Sequence, residues 1–364
     1  MIIKNLKLIG FRNLENFQVS FSKNKNLIYG LNGAGKTSIL EAIFLPGFGK
    51  SFLNVKKSEI VNDHANFFSI RLSAVDHHND GHNNDGYDNN GHDNNISAHY
   101  DKDKGKFTLL LNEKKSNIFE INKYLYPLLF SSSNYNLYIE SKTHIRKLMD
   151  RFMFGIDSLY IHYLLSYNKA LKQKNYLLKT KKNLDELSSW NKILSEMSEK
   201  VVGTRMKFIE TLNTEIKNKF NRDLAITYRS SFAPISNTPD AADISQRFFF
   251  TQLEKLKQSE IIQKRSLRGV HLDRFDIRLN RKDLKFYSSG EKKINLLMLY
   301  IAFIQFFKRL KNEYPIFLVD DFDTAIDERN IDFLIENYPD LQVIATSVKK
   351  NDRFDRLIEL RKEI

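Results

Sequence analysis

A chain of 364 residues is long enough to form about two domains with buried cores. It contains no cysteine, which excludes a disulfide framework and a thiolate metal site and fits a reducing compartment. Its formal net charge of +13 favours a polyanionic partner, either nucleic acid or an anionic membrane surface. The alternative is that the lysine content reflects only a biased genome. The longest nearly apolar stretch, residues 294–307, is shorter than the about 20 residues of a membrane span. We therefore expect a cytoplasmic protein without a membrane partner.

Residues 1–75 have the pattern of the beginning of an α/β domain. Alternating apolar residues predict strands at 2–9, 17–21, 26–30, 67–75 and 96–100. A helix is predicted from residue 36, and Pro46 with Gly47 is predicted to end it. Residues 76–95 are rich in Asn, Asp and His and contain almost no apolar side chain, so they predict a loop without chemistry. A divalent metal site built from the histidines of this loop is the alternative.

The middle of the chain is predicted to be helical, from about residue 121 to residue 264. Apolar stripes at helical spacing, joined by a polar connection at 180–187, predict an antiparallel helical hairpin. The α/β pattern returns after about Gly269. We therefore expect one α/β domain in two sequence halves, residues 1–125 and 265–364, interrupted by a helical arm at 126–264.

A phosphate-binding loop is predicted after the third strand. Its residues match the pattern G-x-x-x-x-G-K-[ST] between a strand and a helix: Gly30, Leu31, Asn32, Gly33, Ala34, Gly35, Lys36 and Thr37. Backbone N–H groups of such a loop surround phosphate oxygens, and the helix N-terminus adds positive potential. Lys36 would reach the β- and γ-phosphates of ATP, Thr37 would hold Mg²⁺, and Ser38 is also predicted to bind the nucleotide.

Two downstream segments complete the predicted ATPase. An apolar strand ends in Asp320, predicted to support Mg²⁺, and Asp321, predicted to polarise the attacking water. Before it, Ser288, Ser289, Gly290 and Glu291 open an apolar helix. This order resembles ABC-type ATPases, in which the signature segment of one subunit completes the nucleotide site of the other. By the same resemblance, Asp327 is the D-loop aspartate.

The chain as a whole resembles the RecF family, bacterial recombination and repair proteins related to SMC heads. The resemblance runs nearly end to end, and its clearest segments are Gly10-Phe11-Arg12-Asn13, the phosphate-binding loop with its helix, Gly49-Lys50-Ser51-Phe52, Gly269 to Asp273, Tyr287 to Lys293 and Leu318 to Asp327. It implies an ABC-type P-loop ATPase head interrupted by a mostly helical lobe, with Arg12 also at the nucleotide. Leu272 and Glu291 depart from the family pattern, which puts the hydrolysis rate in question.

The resemblance also implies a biological role. We expect a slow, DNA-stimulated ATPase that forms a homodimer on ATP, clamps DNA, and helps to load the recombinase at single-strand gaps with RecO and RecR partners. The helical arm would contact DNA through basic side chains: Lys169, Lys172, Lys174, Lys179 and Arg205. The alternative is an SMC-like or regulatory ABC head that clamps a protein partner rather than DNA.

Overall fold

The computed structural model of the chain contains two compact units. One unit comprises Met1–Tyr135 with Phe307–Ile364, and the other comprises Asn136–Phe306. The structure describes these residues: 1–75, 93–131, 135–220, 222–232, 245–325, 333–334 and 336–361. The division at residues 125 and 265 expected from the sequence remains a prediction.

An antiparallel sheet of six strands forms one layer of the first unit, in the order β2-β1-β4-β5-β6-β7. Its strands are β1 (Ile2–Phe11), β2 (Leu14–Ser20), β4 (Phe67–Val75), β5 (Asp93–Asp101), β6 (Lys106–Leu111) and β7 (Lys114–Ser116). Alternate residues such as Leu6, Leu8 and Ile70 are fully buried, because successive strand residues point to opposite faces. The alternation in the sequence therefore predicted β1 and β4 closely and parts of β2 and β5, whereas β6 and β7 were not predicted.

A parallel sheet of five strands forms the second layer, in the order β14-β3-β13-β12-β8. Its strands are β3 (Lys25–Gly30), β8 (Pro127–Ser131), β12 (Ile316–Asp320), β13 (Val343–Ser347) and β14 (Arg356–Leu360). Because the pairing is parallel, the carboxyl ends of β3, β13 and β12 are neighbours at one edge, where ligands bind in such sheets. The predicted α/β class is confirmed.

Helix α1 (Lys36–Phe48) follows β3 and packs against strands of both sheets. It continues past Pro46 and ends at Gly49, which has a left-handed conformation with φ 67°. The expectation that Pro46 and Gly47 end the helix was therefore wrong by one or two residues. The first unit also contains the short helices α2 (Ile118–Asn122) and α9 (Phe322–Ala325).

The second unit is mostly helical. Its helices are α3 (Tyr135–Glu140), α4 (Lys142–Ile156), α5 (Ser158–Thr180), α6 (Leu187–Lys219), α7 (Gln246–Gln263) and α8 (Ser289–Lys311), although Tyr135 and the end of α8 from Phe307 belong to the first unit. A small sheet consists of β9 (Leu224–Arg229), β10 (Arg274–Leu279) and β11 (Lys282–Asp283). The predicted helical hairpin is formed by α5 and α6, which pack on each other along the stripe that includes Tyr167, Leu178 and Leu194. Among the described helices, none has the length and apolar character that crossing a membrane requires.

Candidate nucleotide site

The phosphate-binding loop joins β3 to α1 through two glycine positions that other residues would not fit. At Gly30 a Cβ atom would lie 2.3 Å from the carbonyl oxygen of Leu360 on β14. Gly35 caps α1 with φ 98°, a left-handed conformation, and this cap residue makes no side-chain hydrogen bond to the helix. The loop therefore leaves helix N–H groups available to an anion.

Lys36 is buried in this loop and points back along it. Its Nζ donates to the carbonyl oxygens of Gly30 at 2.7 Å and Leu31 at 2.9 Å. The amide of Asn13 also supports the loop, since its Nδ2 donates to the carbonyl of Gly33 at 3.1 Å and its Oδ1 accepts from Ser38 at 3.3 Å. Within the same loop, Leu31 and Asn32 are exposed, whereas Ala34 is buried.

The two predicted acids lie beside the start of α1. Asp320 ends β12, and its Oδ1 accepts from the Thr37 hydroxyl at 3.0 Å. Asp321 follows in a left-handed conformation, with φ 51°, and is half-buried. Burial, followed by the negative charge of Asp321, raises the pKa of Asp320 above its ordinary value. The structure therefore brings Thr37 of the loop and both carboxylates close together.

The oxygen atoms of Thr37 and Asp320 form a donor set of the kind that Mg²⁺ prefers. Magnesium is usually held by one or two protein oxygens together with substrate phosphates and water. Among the described residues no group of three or more His, Cys, Asp or Glu side chains could hold a metal ion. The residues at this edge thus fit a magnesium ion delivered with a nucleotide, rather than a metal site of protein ligands alone.

A third hydroxyl, absent from the sequence-based prediction, connects the two acids. Thr346 lies on β13, between the loop strand and the acid strand, and is fully buried. Its Oγ1 donates to Asp320 Oδ1 at 2.9 Å and accepts from the backbone N–H of Asp321, also at 2.9 Å. The order of the strands, which is a tertiary property, brings this hydroxyl next to both acids.

Arg12 lies near the same helix and is held by a carboxylate. Its guanidinium forms a two-pronged ion pair with the buried Glu41 of α1, at 2.8 and 2.9 Å, and donates to the carbonyl of Glu59 at 3.2 Å. Glu41 also accepts from Ser51. This arrangement anchors Arg12 to α1, and a contact of Arg12 with nucleotide stays a prediction.

The signature segment belongs to the other compact unit, at the start of α8. Ser288, Ser289, Gly290 and Glu291 are all exposed. Glu291 Oε2 accepts from the Ser288 hydroxyl at 2.7 Å and from the Ser288 N–H at 3.1 Å, which is a capping box. These bonds from Ser288 lower the pKa of Glu291. Asp327 and residues 76–92, most of the segment considered as an alternative metal site, lie outside the described residues.

Two of the predicted DNA-contacting cations are buried, so this part of the prediction was wrong. Lys174 forms an ion pair with Glu260 at 2.7 Å, and both side chains are 1% exposed. Arg205 is fully buried and donates to Asp150 at 2.9 Å and to Asp273 at 2.8 Å. Carboxylates inside the unit already neutralise these two cations.

The remaining predicted arm cations, Lys169, Lys172 and Lys179, are exposed on α5. Helical spacing alone placed all five cations on polar faces. It does not show which polar side chain meets a buried carboxylate of another helix, which is why Lys174 and Arg205 were misassigned.

Comparison with known proteins identifies the family. Residues 2–361 match the family model described as the RecF/RecN/SMC N-terminal domain. The chain is 31% identical over 369 residues to the DNA replication and repair protein RecF of Ruminiclostridium cellulolyticum, covering 98% of this chain and 95% of that relative.

Solved structures agree with this relationship. The recombination mediator protein RecF-ATP of the RecFOR pathway superposes with a TM-score of 0.87 at 26% identity, covering 100% of this chain and 96% of that one. An Smc head domain with an extended coiled coil, from Pyrococcus furiosus, has a TM-score of 0.55 at 17% identity over 99% and 94% of the two chains, and supports the fold alone. The expected ABC-type ATPase head is confirmed. The chain belongs to the RecF family, within the wider group of proteins that share the RecF/RecN/SMC N-terminal domain.

Proposed function

We propose that this RecF-family ATPase is an ATP-dependent DNA-binding protein of recombinational repair, which dimerises on ATP, clamps DNA and helps to load the recombinase at gaps. The observation that carries the proposal is the meeting of Thr37, Asp320 and Asp321 beside a loop of open backbone N–H groups. This is the set of groups that phosphoryl transfer to water requires. By the resemblance, mediator proteins of the RecO and RecR type are its partners.

Binding of the triphosphate requires Lys36 to change its partners. Its ammonium now donates to two loop carbonyls, and it would move to the β- and γ-phosphates. The N–H groups at the start of α1 stabilise the phosphate charge. Thr37 and Asp320 would hold Mg²⁺, which neutralises charge that develops on the transferred phosphoryl group.

Hydrolysis requires a carboxylate that orients water. Asp321 is the carboxylate for this role, because it is half-buried and lies next to Asp320. The signature residues Ser288 and Gly290 of a second copy would contact the γ-phosphate, so that the dimer holds only while ATP is intact. Asp327 would lie at the same seam. Loss of the γ-phosphate then opens the clamp.

The DNA part of the proposal is tested by retention of a gapped duplex with and without ATP. We expect ATP to increase retention. Replacing Lys169, Lys172 and Lys179 together by glutamine should lower the slope of log affinity against log salt by about 2.7, since each phosphate contact contributes about 0.9. The matched control replaces three exposed lysines of the other unit, Lys23, Lys56 and Lys102.

ATP-independent retention, or equal slopes for the two triple variants, would count against a clamp made by the helical arm. Retention of no DNA at all would favour the alternative, an SMC-like head that clamps a protein. The comparisons do not favour that alternative, because the relatives are named as DNA repair proteins.

Thr346 gives a prediction about the hydrolytic step. The variant Thr346→Val keeps the side-chain shape and removes both hydrogen bonds that fix Asp320 and Asp321. A lost hydrogen bond to a charged group costs about 1.5–3 kcal/mol, so we expect kcat to fall roughly 10- to 100-fold. KM for ATP should change little, because the phosphate-binding loop is untouched.

The control for this positioning role is Thr346→Ser, which retains the hydroxyl and should restore most of the rate. Steady-state ATPase kinetics of the three proteins check the prediction. A valine variant with the parental kcat would show that Thr346 has no role in positioning the acids.

A further inference from the structure

The outer face of the antiparallel sheet carries a concavity of about 500 Å³ that the proposed mechanism does not use. Its polar lining includes Asn5, Lys7, Gln18, Arg71 and Ser97. Concave, basic surfaces of this kind focus positive potential outward and attract anions.

One register row crosses all six strands of this face. Directly paired residues of an antiparallel sheet share a face, and the pairing runs Gln18, Lys7, Arg71, Ser97, Leu110 and Lys115. With strands about 4.8 Å apart, the row is about 24 Å long. It therefore presents three cations, each from a different strand, on one continuous surface.

The flanking rows add hydrogen-bonding groups and no negative charge. One row contains Ser20, Asn5, Ser73 and Asn95, and the other contains Asn16, Ile9, Ser69, His99 and Thr108. None of these residues, all of which the structure describes, is a carboxylate. Amides and hydroxyls next to cations are the groups that contact phosphate and sugar oxygens.

The two aspartates nearest to this row are paired with lysines outside it, so they do not neutralise its positive charge. Asp93 is paired with Lys4 at 2.7 Å, and Asp101 is paired with Lys104 at 3.1 Å. Glu113, in the turn between β6 and β7, is the carboxylate in the lining of the concavity. Within the described part of the chain, no ion pair involves Lys7, Arg71 or Lys115.

We infer that this face binds the phosphodiester backbone of nucleic acid, as a second contact surface on the ATPase unit. The inference rests on the proposed DNA-binding function. The register row from Gln18 to Lys115 is long enough to contact several backbone phosphates, whereas a small anion would need only one part of it. A protein partner fits less well, because protein interfaces have an apolar core and this face offers only Ile9 and Leu110 in its central rows. Contacts to phosphate and sugar carry no base information, so this surface predicts binding that does not depend on sequence.

The test replaces Lys7 and Arg71 together by glutamine and measures duplex DNA binding from 50 to 300 mM salt. We expect the slope of log affinity against log salt to fall by about 1.8, because two phosphate contacts are lost. The matched control is Lys102→Gln with Lys114→Gln, which removes two exposed charges close to the same sheet but off the central row. A second variant, Ser97→Glu, places a negative charge in the row without removing a cation, and it should also weaken binding.

Each outcome has one meaning. If the Lys7 and Arg71 variant, with parental ATP-dependent dimerisation, binds DNA as the control does, the inference is overturned and the clamp proposal stands. If the parental protein retains no DNA, the proposed function itself fails. Inorganic phosphate at millimolar concentration is the probe for a small-anion site. Broadening of its ³¹P resonance that depends on Lys7 and Arg71, without a DNA effect, would overturn the backbone assignment.

Discussion

The variant Asp321→Asn is expected to bind ATP normally and to hydrolyse it about 10²- to 10⁴-fold more slowly, as for loss of a general base. The amide keeps the size of the carboxylate but does not accept a proton from water. Removing the charge of Asp321 also removes one of the two causes that raise the pKa of Asp320. Asp320 then ionises more readily, so its predicted support of Mg²⁺ should not weaken.

The physical consequence of this variant is a trapped dimer. Without hydrolysis the γ-phosphate stays in place, and the dimer should remain closed on DNA after excess ATP is removed. ATPase rates and the lifetime of the DNA complex measure these effects. The control is Asp352→Asn, which removes an exposed carboxylate of the same unit. Turnover at the parental rate would remove Asp321 from the hydrolytic role.

The variant Lys36→Ala is expected to abolish ATP-dependent dimerisation. The Lys36 ammonium of the parental protein is the charged group inside the loop, and hydrogen bonds to charged groups contribute about 1.5–3 kcal/mol each. Losing contacts to two phosphates should weaken ATP binding roughly 10²- to 10⁴-fold. ATP should then no longer bring the two copies together at concentrations that saturate the parental protein.

Light scattering with and without ATP checks this result, and Lys23→Ala is the control because Lys23 is exposed and outside the loop. An unchanged mass shift in the Lys36 variant would contradict the split site. This experiment also separates ATP-dependent dimerisation from DNA binding by the antiparallel sheet. If the variant loses dimerisation but still binds DNA through Lys7 and Arg71, the proposed DNA contact on the sheet still holds.

Glu291 departs from the family pattern and also caps a helix. In the sequence it is a departure from the family pattern that adds negative charge where a γ-phosphate of the second copy is proposed to bind. In the structure its carboxylate accepts two bonds from Ser288 and caps α8. The local capping pattern of Ser288 and Glu291 is readable in the sequence, since it depends only on residues three positions apart.

Local periodicity and local motifs account for what could be predicted. The phosphate-binding loop, the acid pair after an apolar strand, and the alternating strands β1 and β4 each depend on neighbouring residues, and each lies where it was expected. Strand β8 was missed, within a stretch interpreted as helical. It is a short, wholly buried run, and such a run has no period that separates a strand from a helix.

The sequence by itself determined the class of the protein, the positions of its nucleotide motifs and the helical hairpin, because these depend on chain-local spacing. Only the tertiary structure decided which polar side chains meet. It buried Lys174 and Arg205 against carboxylates, placed Thr346 between Asp320 and Asp321, and aligned Lys7 with Arg71 on one face. The physical reason is that charge pairing, burial and register join residues distant in the chain, and their free energies depend on three-dimensional neighbours that no local pattern contains.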